Sequence, residues 1–110
     1  MSILDGAQAQ VPNPAVGFRN FTDTNVIVQG FTIVKGVQRR GPVLTVNKKG
    51  GMAFENNVPQ GVRYYTIYDA NQPSRILLQD APMMIQTRDV SFWIETSKLD
   101  PQRVVLRIAP

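Results

Sequence analysis

The sequence predicts an all-β domain, an antiparallel β-sandwich of about eight strands, from three observations. Short runs rich in β-branched and aromatic residues recur along the chain, and turns containing Gly, Pro or Asn separate them. No part of the chain alternates strand and helix patterns as a βαβ fold would. The 110 residues, 43% hydrophobic and 18% charged, suit one folded domain with a single core. Two sheets packed face to face, with Greek-key connections, are the expected architecture.

Residues 1–14 precede the predicted domain. They have no hydrophobic periodicity and are rich in Ala, Gln and Pro, so we expect a flexible N-terminal segment followed by one β-sandwich domain at 15–110. Within it, Ala7-Gln8-Ala9 has the small-x-small form of an export cleavage site. The apolar run of roughly 7 to 15 residues that should precede such a site is absent, which favours a chance match.

The first half of the domain is expected to form five runs of strand. These predicted strands cover residues 15–21, 26–34, 37–39, 43–46 and 52–58. Arg40-Gly41-Pro42 is expected to separate the third strand from the fourth. The turn at Gly50-Gly51 is well specified, because paired glycines adopt positive φ at little cost.

The second half continues the same pattern. Predicted strands cover residues 62–69, 75–79, 83–87, 90–96 and 103–108, with a break expected at Asp80-Ala81-Pro82. The last two strands have the clearest alternation of apolar and polar residues. The side chains expected to face the core in these two strands are Phe92, Ile94, Val104, Leu106 and Ile108.

The chain contains neither cysteine nor histidine. Soft-metal sites, cysteine nucleophiles and serine–histidine relays all need a thiolate or an imidazole, so none of them is possible here. The carboxylates also lack the spacing of an acid/base pair or of an oxygen-ligand loop. We therefore expect a protein without metal or other cofactor, and one that is not an enzyme.

The order of elements resembles the cupredoxin-like β-sandwich. The residues that carry the resemblance are the strand Val16-Gly17-Phe18-Arg19-Asn20, the Gly50-Gly51 turn, and Pro59-Gln60-Gly61 leading into the aromatic strand at 62–68. The resemblance implies a cupredoxin-like fold, with an immunoglobulin-like sandwich as the other arrangement of the same class. The pattern is also similar to small exported β-sandwich proteins of planctomycete-type bacteria, which implies a periplasmic or extracellular location in preference to a cytoplasmic one.

The chain departs from the cupredoxin pattern at the metal ligands. In copper-binding cupredoxins the aromatic strand leads to a Cys, a His and usually a Met. Here Asp69-Ala70-Asn71 follows Tyr68, and Met83 and Met84 have no imidazole or thiolate beside them in the sequence. The resemblance therefore implies the fold without the copper site.

Aromatic side chains are the first candidates for a binding surface. Tyr64 and Tyr65 lie on one predicted strand, with their side chains on opposite faces, and Trp93 alternates out of phase with the inward Phe92 and Ile94. If Trp93 and the two tyrosines lined one exposed surface, they could stack on a sugar or another small ligand. Their more common role, filling a covered face or an oligomer contact, is the preferred interpretation.

Basic residues are the second candidates. The net charge is +4, and the positive side chains form pairs at Arg39 with Arg40 and at Lys48 with Lys49, in predicted turns that could share one end of the molecule. Solvated turn charges are the preferred interpretation, and weak nucleic-acid binding is the alternative. No apolar run approaches the ~20 residues that span a bilayer. The sequence thus favours an interaction or structural module whose partner is an unknown protein or a second copy.

Overall fold

The computed structural model of the protein describes residues 12–110, which form eight strands and no helix. The strands are β1 (Val16–Asn20), β2 (Val26–Val34), β3 (Val37–Val46), β4 (Gly51–Glu55), β5 (Gly61–Asp69), β6 (Gln72–Ile85), β7 (Val90–Thr96) and β8 (Val104–Ile108). The predicted all-β class is confirmed. The predicted bounds of β2 and β7 match those of the structure.

The strands form two four-stranded sheets. Sheet A has the order β4-β1-β7-β8, and sheet B has the order β3-β2-β5-β6. Neighbouring strands are antiparallel except β1 and β7, which run parallel from the pair Val16 and Val90 onward. A parallel pair needs a long crossover, and the intervening strands supply it.

Two predicted strand breaks are wrong. Gly41-Pro42 lies within the continuous strand β3, and Asp80-Ala81-Pro82 lies within the 14-residue strand β6. Both are edge strands, which have a neighbouring strand on one side only. A proline, which has no amide hydrogen, is tolerated there because a donor is not needed on the open side. The pairing also shifts register at both places, so each extra residue is accommodated in a β-bulge.

The core lies between the inner faces of the two sheets. It consists of Val16, Phe18, Val26, Val28, Val46, Val58, Tyr65, Ile67, Leu77, Ile85, Phe92, Ile94 and Val104. Phe92, Ile94 and Val104 are buried as predicted, and Leu106 is half-buried against the same cluster. The expectation for Ile108 is wrong, because its side chain is 63% exposed at the end of the edge strand β8.

The start of the described chain is attached to the sandwich. Pro14 is buried, and its carbonyl oxygen accepts a hydrogen bond of 2.9 Å from the Val58 amide. The next residue, Ala15, donates its amide to Asp89 Oδ1 at 2.9 Å. The last residue of the predicted segment 1–14 is therefore part of the fold. Residues 1–11, with the Ala7-Gln8-Ala9 match, lie outside the described residues.

The two isoleucines of the C-terminal hairpin provide a test of this packing. Ile94→Ala should lower the free energy of unfolding by about 2–5 kcal/mol, because it leaves a cavity at a side chain that is 0% exposed. Ile108→Ala removes the same atoms from an exposed position and should cost less than about 0.5 kcal/mol. Urea unfolding of both variants measures the difference, and equal losses would contradict the observed register.

Candidate functional site

The outer face of sheet A carries an unusual row of side chains. Because Phe18, Phe92 and Leu106 point to the core, period-two alternation turns their neighbours outward. Arg19 pairs in register with Met52 on one side and Trp93 on the other, and Trp93 pairs with Arg107. The resulting row, Met52–Arg19–Trp93–Arg107, crosses all four strands.

Cations and aromatic rings alternate on this face. The Arg107 guanidinium carbon lies 4.9 Å from the centroid of the Trp93 ring. Phe21 packs edge-on against Trp93 with centroids 4.9 Å apart, and the Arg19 guanidinium lies 5.0 Å from the Phe21 centroid. Each cation–π contact at an exposed site is worth about 0.5–1 kcal/mol, so these contacts favour the observed arrangement of the rings.

Glu95 fixes the position of one of these cations. Its carboxylate accepts hydrogen bonds from Arg107 Nε at 2.9 Å and from Arg107 Nη2 at 3.1 Å. These hydrogen bonds hold the pKa of Glu95 below its usual value. Because water screens this exposed pair, its main effect is on geometry, since it orients the guanidinium plane beside Trp93.

Large apolar side chains extend the same surface. Phe21, Met52 and Phe54 are 43%, 51% and 53% exposed. Phe54 lies directly over Gly17, where an added Cβ would come within 2.8 Å of its ring, so glycine allows the ring to lie against β1. We call Arg19, Phe21, Met52, Phe54, Trp93 and Arg107 together the aromatic–arginine face. Exposed apolar clusters of this kind commonly mark binding surfaces.

The structure does not bring the three candidate aromatic residues together. Trp93 lies on the outer face of sheet A, whereas Tyr64 lies on the outer face of sheet B and stacks on Phe31, with ring centroids 5.1 Å apart. Tyr65 is 0% exposed and packs in the core against Phe18. These rings therefore serve three separate environments.

The two basic pairs are also separated. Arg39 and Arg40 lie within β3, near its first residues, while Lys48 and Lys49 lie in the turn after its last residue. At a strand rise of about 3.3 Å per residue, Arg40 is roughly 20 Å from the end of β3 at Val46. The four cations do not form one patch.

A buried polar cluster, which sequence reasoning missed, links the two sheets. Glu55 at the end of β4 and Arg63 in β5 form an ion pair, with Arg63 Nη2 2.5 Å from Glu55 Oε2, and both side chains are at most 4% exposed. Arg63 also donates to Thr32 Oγ1 at 2.6 Å, and the Tyr65 hydroxyl donates to Glu55 Oε1 at 3.1 Å. One signal was available, because Arg63 alternates in phase with the inward Tyr65 and Ile67.

The cluster has the character of a structural connection. The Arg63 guanidinium and the Glu55 carboxylate are engaged with each other, and Thr32 and Tyr65 complete their hydrogen bonds. Burial, together with the charge of Glu55, raises the pKa of the Tyr65 phenol well above its usual value. Tyr65 is therefore held neutral, as a hydrogen-bond donor.

Residues 12–110 contain no group of three or more acidic, histidine or cysteine side chains arranged to hold a metal ion. Over the same range, no helix is long and apolar enough to cross a bilayer. A scan against protein-family models and a search of curated proteins both found no match to this chain. The function must therefore be inferred from the side chains on the outer faces of sheets A and B.

Glu55→Gln should lower the free energy of unfolding by about 3–5 kcal/mol, because it leaves the Arg63 charge buried without its partner. Replacing both residues with apolar ones, Glu55→Leu with Arg63→Met, should cost much less, since no charge then remains buried. Guanidinium unfolding measures both variants. Glu95→Gln at the exposed pair is the matched control and should change stability little. A double variant as unstable as Glu55→Gln would argue against an unpaired charge as the cause.

Tyr65 should make the fold sensitive to alkali. Its pKa is raised in the folded state, so above pH about 10 the unfolded chain ionises this phenol while the folded chain does not. Its contribution to stability is complete below that pH and decreases as the pH rises further. The unfolding free energy of the wild type should therefore fall more steeply between pH 10 and 12 than that of Tyr65→Phe, and parallel curves would contradict this assignment.

Proposed function

We propose that the protein is a non-enzymatic, metal-free β-sandwich module that associates with a second copy of itself through the aromatic–arginine face. The observation that carries the proposal is the exposed row of aromatic, methionine and arginine side chains on the outer face of sheet A. These residue types are enriched in protein interfaces, and Trp with Arg dominates their binding energy.

A second copy suits this face for geometric and electrostatic reasons. The face covers a four-stranded sheet, and two such sheets can pack at about 10 Å, as the layers of a sandwich do. In a twofold dimer, each contact of a residue with a different residue of the partner occurs twice with the roles exchanged, so the surface must be complementary to itself. This face carries cations at Arg19 and Arg107 and a carboxylate at Glu95. In the described residues, Arg19 takes part in no salt bridge and is left to pair across the dimer.

The non-enzymatic part of the proposal is supported by composition and by the buried cluster. The chain has no histidine or cysteine, and Glu55, Arg63 and Tyr65 are engaged with one another in the core. Nucleic-acid binding has less support, because the two basic pairs lie apart on β3 and its following turn. A sugar site built from Trp93, Tyr64 and Tyr65 together has none.

We further propose that the strands follow a cupredoxin-like or immunoglobulin-like Greek-key arrangement. It is supported by the two four-stranded sheets and by a chain that passes between them after β1, β3, β4 and β6. The exported, bacterial setting implied by the resemblance remains a proposal as well.

The only tryptophan of the chain provides a direct test, since Trp93 lies in the face itself. In sedimentation velocity, the wild type should form a dimer as its concentration rises, and Trp93 fluorescence should shift to the blue as the ring leaves water. Phe54→Asp places a charge in the same face and should keep the protein monomeric. The control Val43→Asp alters a residue of similar exposure on sheet B and should dimerise like the wild type.

Two results would overturn the proposal. The first is a wild type that stays monomeric from micromolar to millimolar concentration. The second is a dimer that Phe54→Asp leaves intact and Val43→Asp disrupts, since it would place the interface on the other sheet. Circular dichroism of each variant establishes that the fold is retained.

A further inference from the structure

The outer face of sheet B carries a groove of about 250 Å³ that crosses all four strands. Arg40 of β3 lies toward one edge, Gln29 of β2 and Tyr68 of β5 lie in the middle, and Asp80 of β6 lies toward the other edge. This volume is slightly below the ~300–1,000 Å³ typical of sites for drug-sized molecules. The groove thus suits a ligand of one or two small rings.

The β6 bulge shapes one side of the groove. Asp80 has a φ of 50°, in the left-handed region that Asp tolerates better than most residues. Thr66 on the neighbouring strand holds it there, because its hydroxyl donates to Asp80 Oδ1 and accepts from the Asp80 amide, both at 3.1 Å. Asp80 Oδ2 has no hydrogen-bond partner within residues 12–110 and is left to accept from a ligand.

The β2–β3 bulge shapes the other side. Gln29 Nε2 donates to the Gly41 carbonyl oxygen at 3.0 Å, which fixes the amide plane and leaves its Oε1 free to accept. Arg40 Nε donates to Gln38 Oε1 at 3.3 Å, and its two terminal nitrogens remain as donors. Neither Arg40 nor Asp80 takes part in a salt bridge within the described part of the chain. One cation and one anion therefore line the same groove without neutralising each other by contact.

An aromatic surface adjoins these polar groups. Phe31 lines the groove, and its ring is held by stacking on Tyr64, with an interplanar angle of 18°. The Tyr68 side chain lines the groove beside Thr66. Rings of this kind can cover an apolar face of a ligand, while their positions on paired strands keep them ordered.

We propose that this groove binds a neutral sugar residue. Neighbouring hydroxyl groups of a pyranose each donate and accept, so a carboxylate, a guanidinium and a primary amide can all bond to them. The C–H face of the sugar ring can pack on Phe31 or Tyr68. Arg40 and Asp80 together give the groove no net charge, which suits a ligand without net charge, and Asp80 would repel a phosphate backbone. This site lies on the opposite sheet from the aromatic–arginine face and does not depend on dimerisation.

The proposal can be tested by NMR titration of the ¹⁵N-labelled full chain with maltotetraose, cellotetraose and mannotetraose. At least one of them should shift the backbone amides around Gln29, Thr66 and Asp80 and the side-chain amide of Gln29. The Trp93 indole signal should not move. Because the ligand is uncharged, the affinity should be the same at low and high salt.

Variants locate the binding groups. Asp80→Asn and Arg40→Ala should each weaken binding by about tenfold or more, the effect of losing one hydrogen bond to a charged group. Arg39→Ala is the matched control, since it removes an adjacent exposed cation whose strand position faces away from the groove, and it should bind like the wild type.

Three outcomes would overturn the proposal. In the first, none of the three oligosaccharides shifts the groove amides. In the second, shifts are confined to residues around Trp93, which would assign sugar binding to the other sheet. In the third, a single-stranded oligonucleotide binds the groove with an affinity that falls steeply with salt, which would assign the groove to nucleic acid.

Discussion

The ion pair between Glu55 and Arg63 constrains the rest of the sandwich, because it is a buried charged connection between two sheets whose facing surfaces are mostly apolar. The buried Asn20 side chain, which donates to the Val46 carbonyl oxygen at 3.1 Å, adds a neutral link between the same sheets. A buried pair is tolerated only when its geometry is good and its remaining polar atoms are satisfied. Thr32 and Tyr65 satisfy them here, and both residues come from sheet B. The pair therefore fixes the end of β4 against three positions of the opposite sheet.

The ion pair also requires glycine at two positions of the backbone around it. A Cβ at Gly41 would collide with Glu55 Oε2 and Arg63 Nη2, and one at Gly30 would come within 2.7 Å of Arg63 Nε. Gly30 and Gly41 face each other at the β2–β3 bulge, so the irregularity that makes room for the ion pair lies beside Arg40 and Gln29 on the outer surface. The space that the buried ion pair requires therefore helps to shape the groove on the outer face of sheet B.

The sequence predicted those features that depend on alternation along single strands. It predicted the bounds of β2 and β7 and the burial of Phe92 and Ile94, since period-two patterns are local. Prediction from the sequence failed for features that depend on how the strands assemble into sheets. Pro42 and Pro82 read as strand breaks in the sequence but lie inside β3 and β6, because edge position and bulges are properties of the assembled sheet. Alternation correctly places Tyr64 and Tyr65 on opposite faces of β5, but only the structure shows that Trp93 and Tyr64 belong to different sheets.

The two outer faces differ in chemistry because only the inner faces of the sheets are constrained by packing. Alternate side chains of each strand point into the core, and packing of the core places no constraint on the side chains that point outward. On sheet A these outward residues place arginines against aromatic rings, and on sheet B they combine an amide, a guanidinium and a carboxylate around a bulged groove. A close-packed core lies between them. Because the two faces belong to different sheets and share no residue, association through one and ligand binding through the other should be energetically independent.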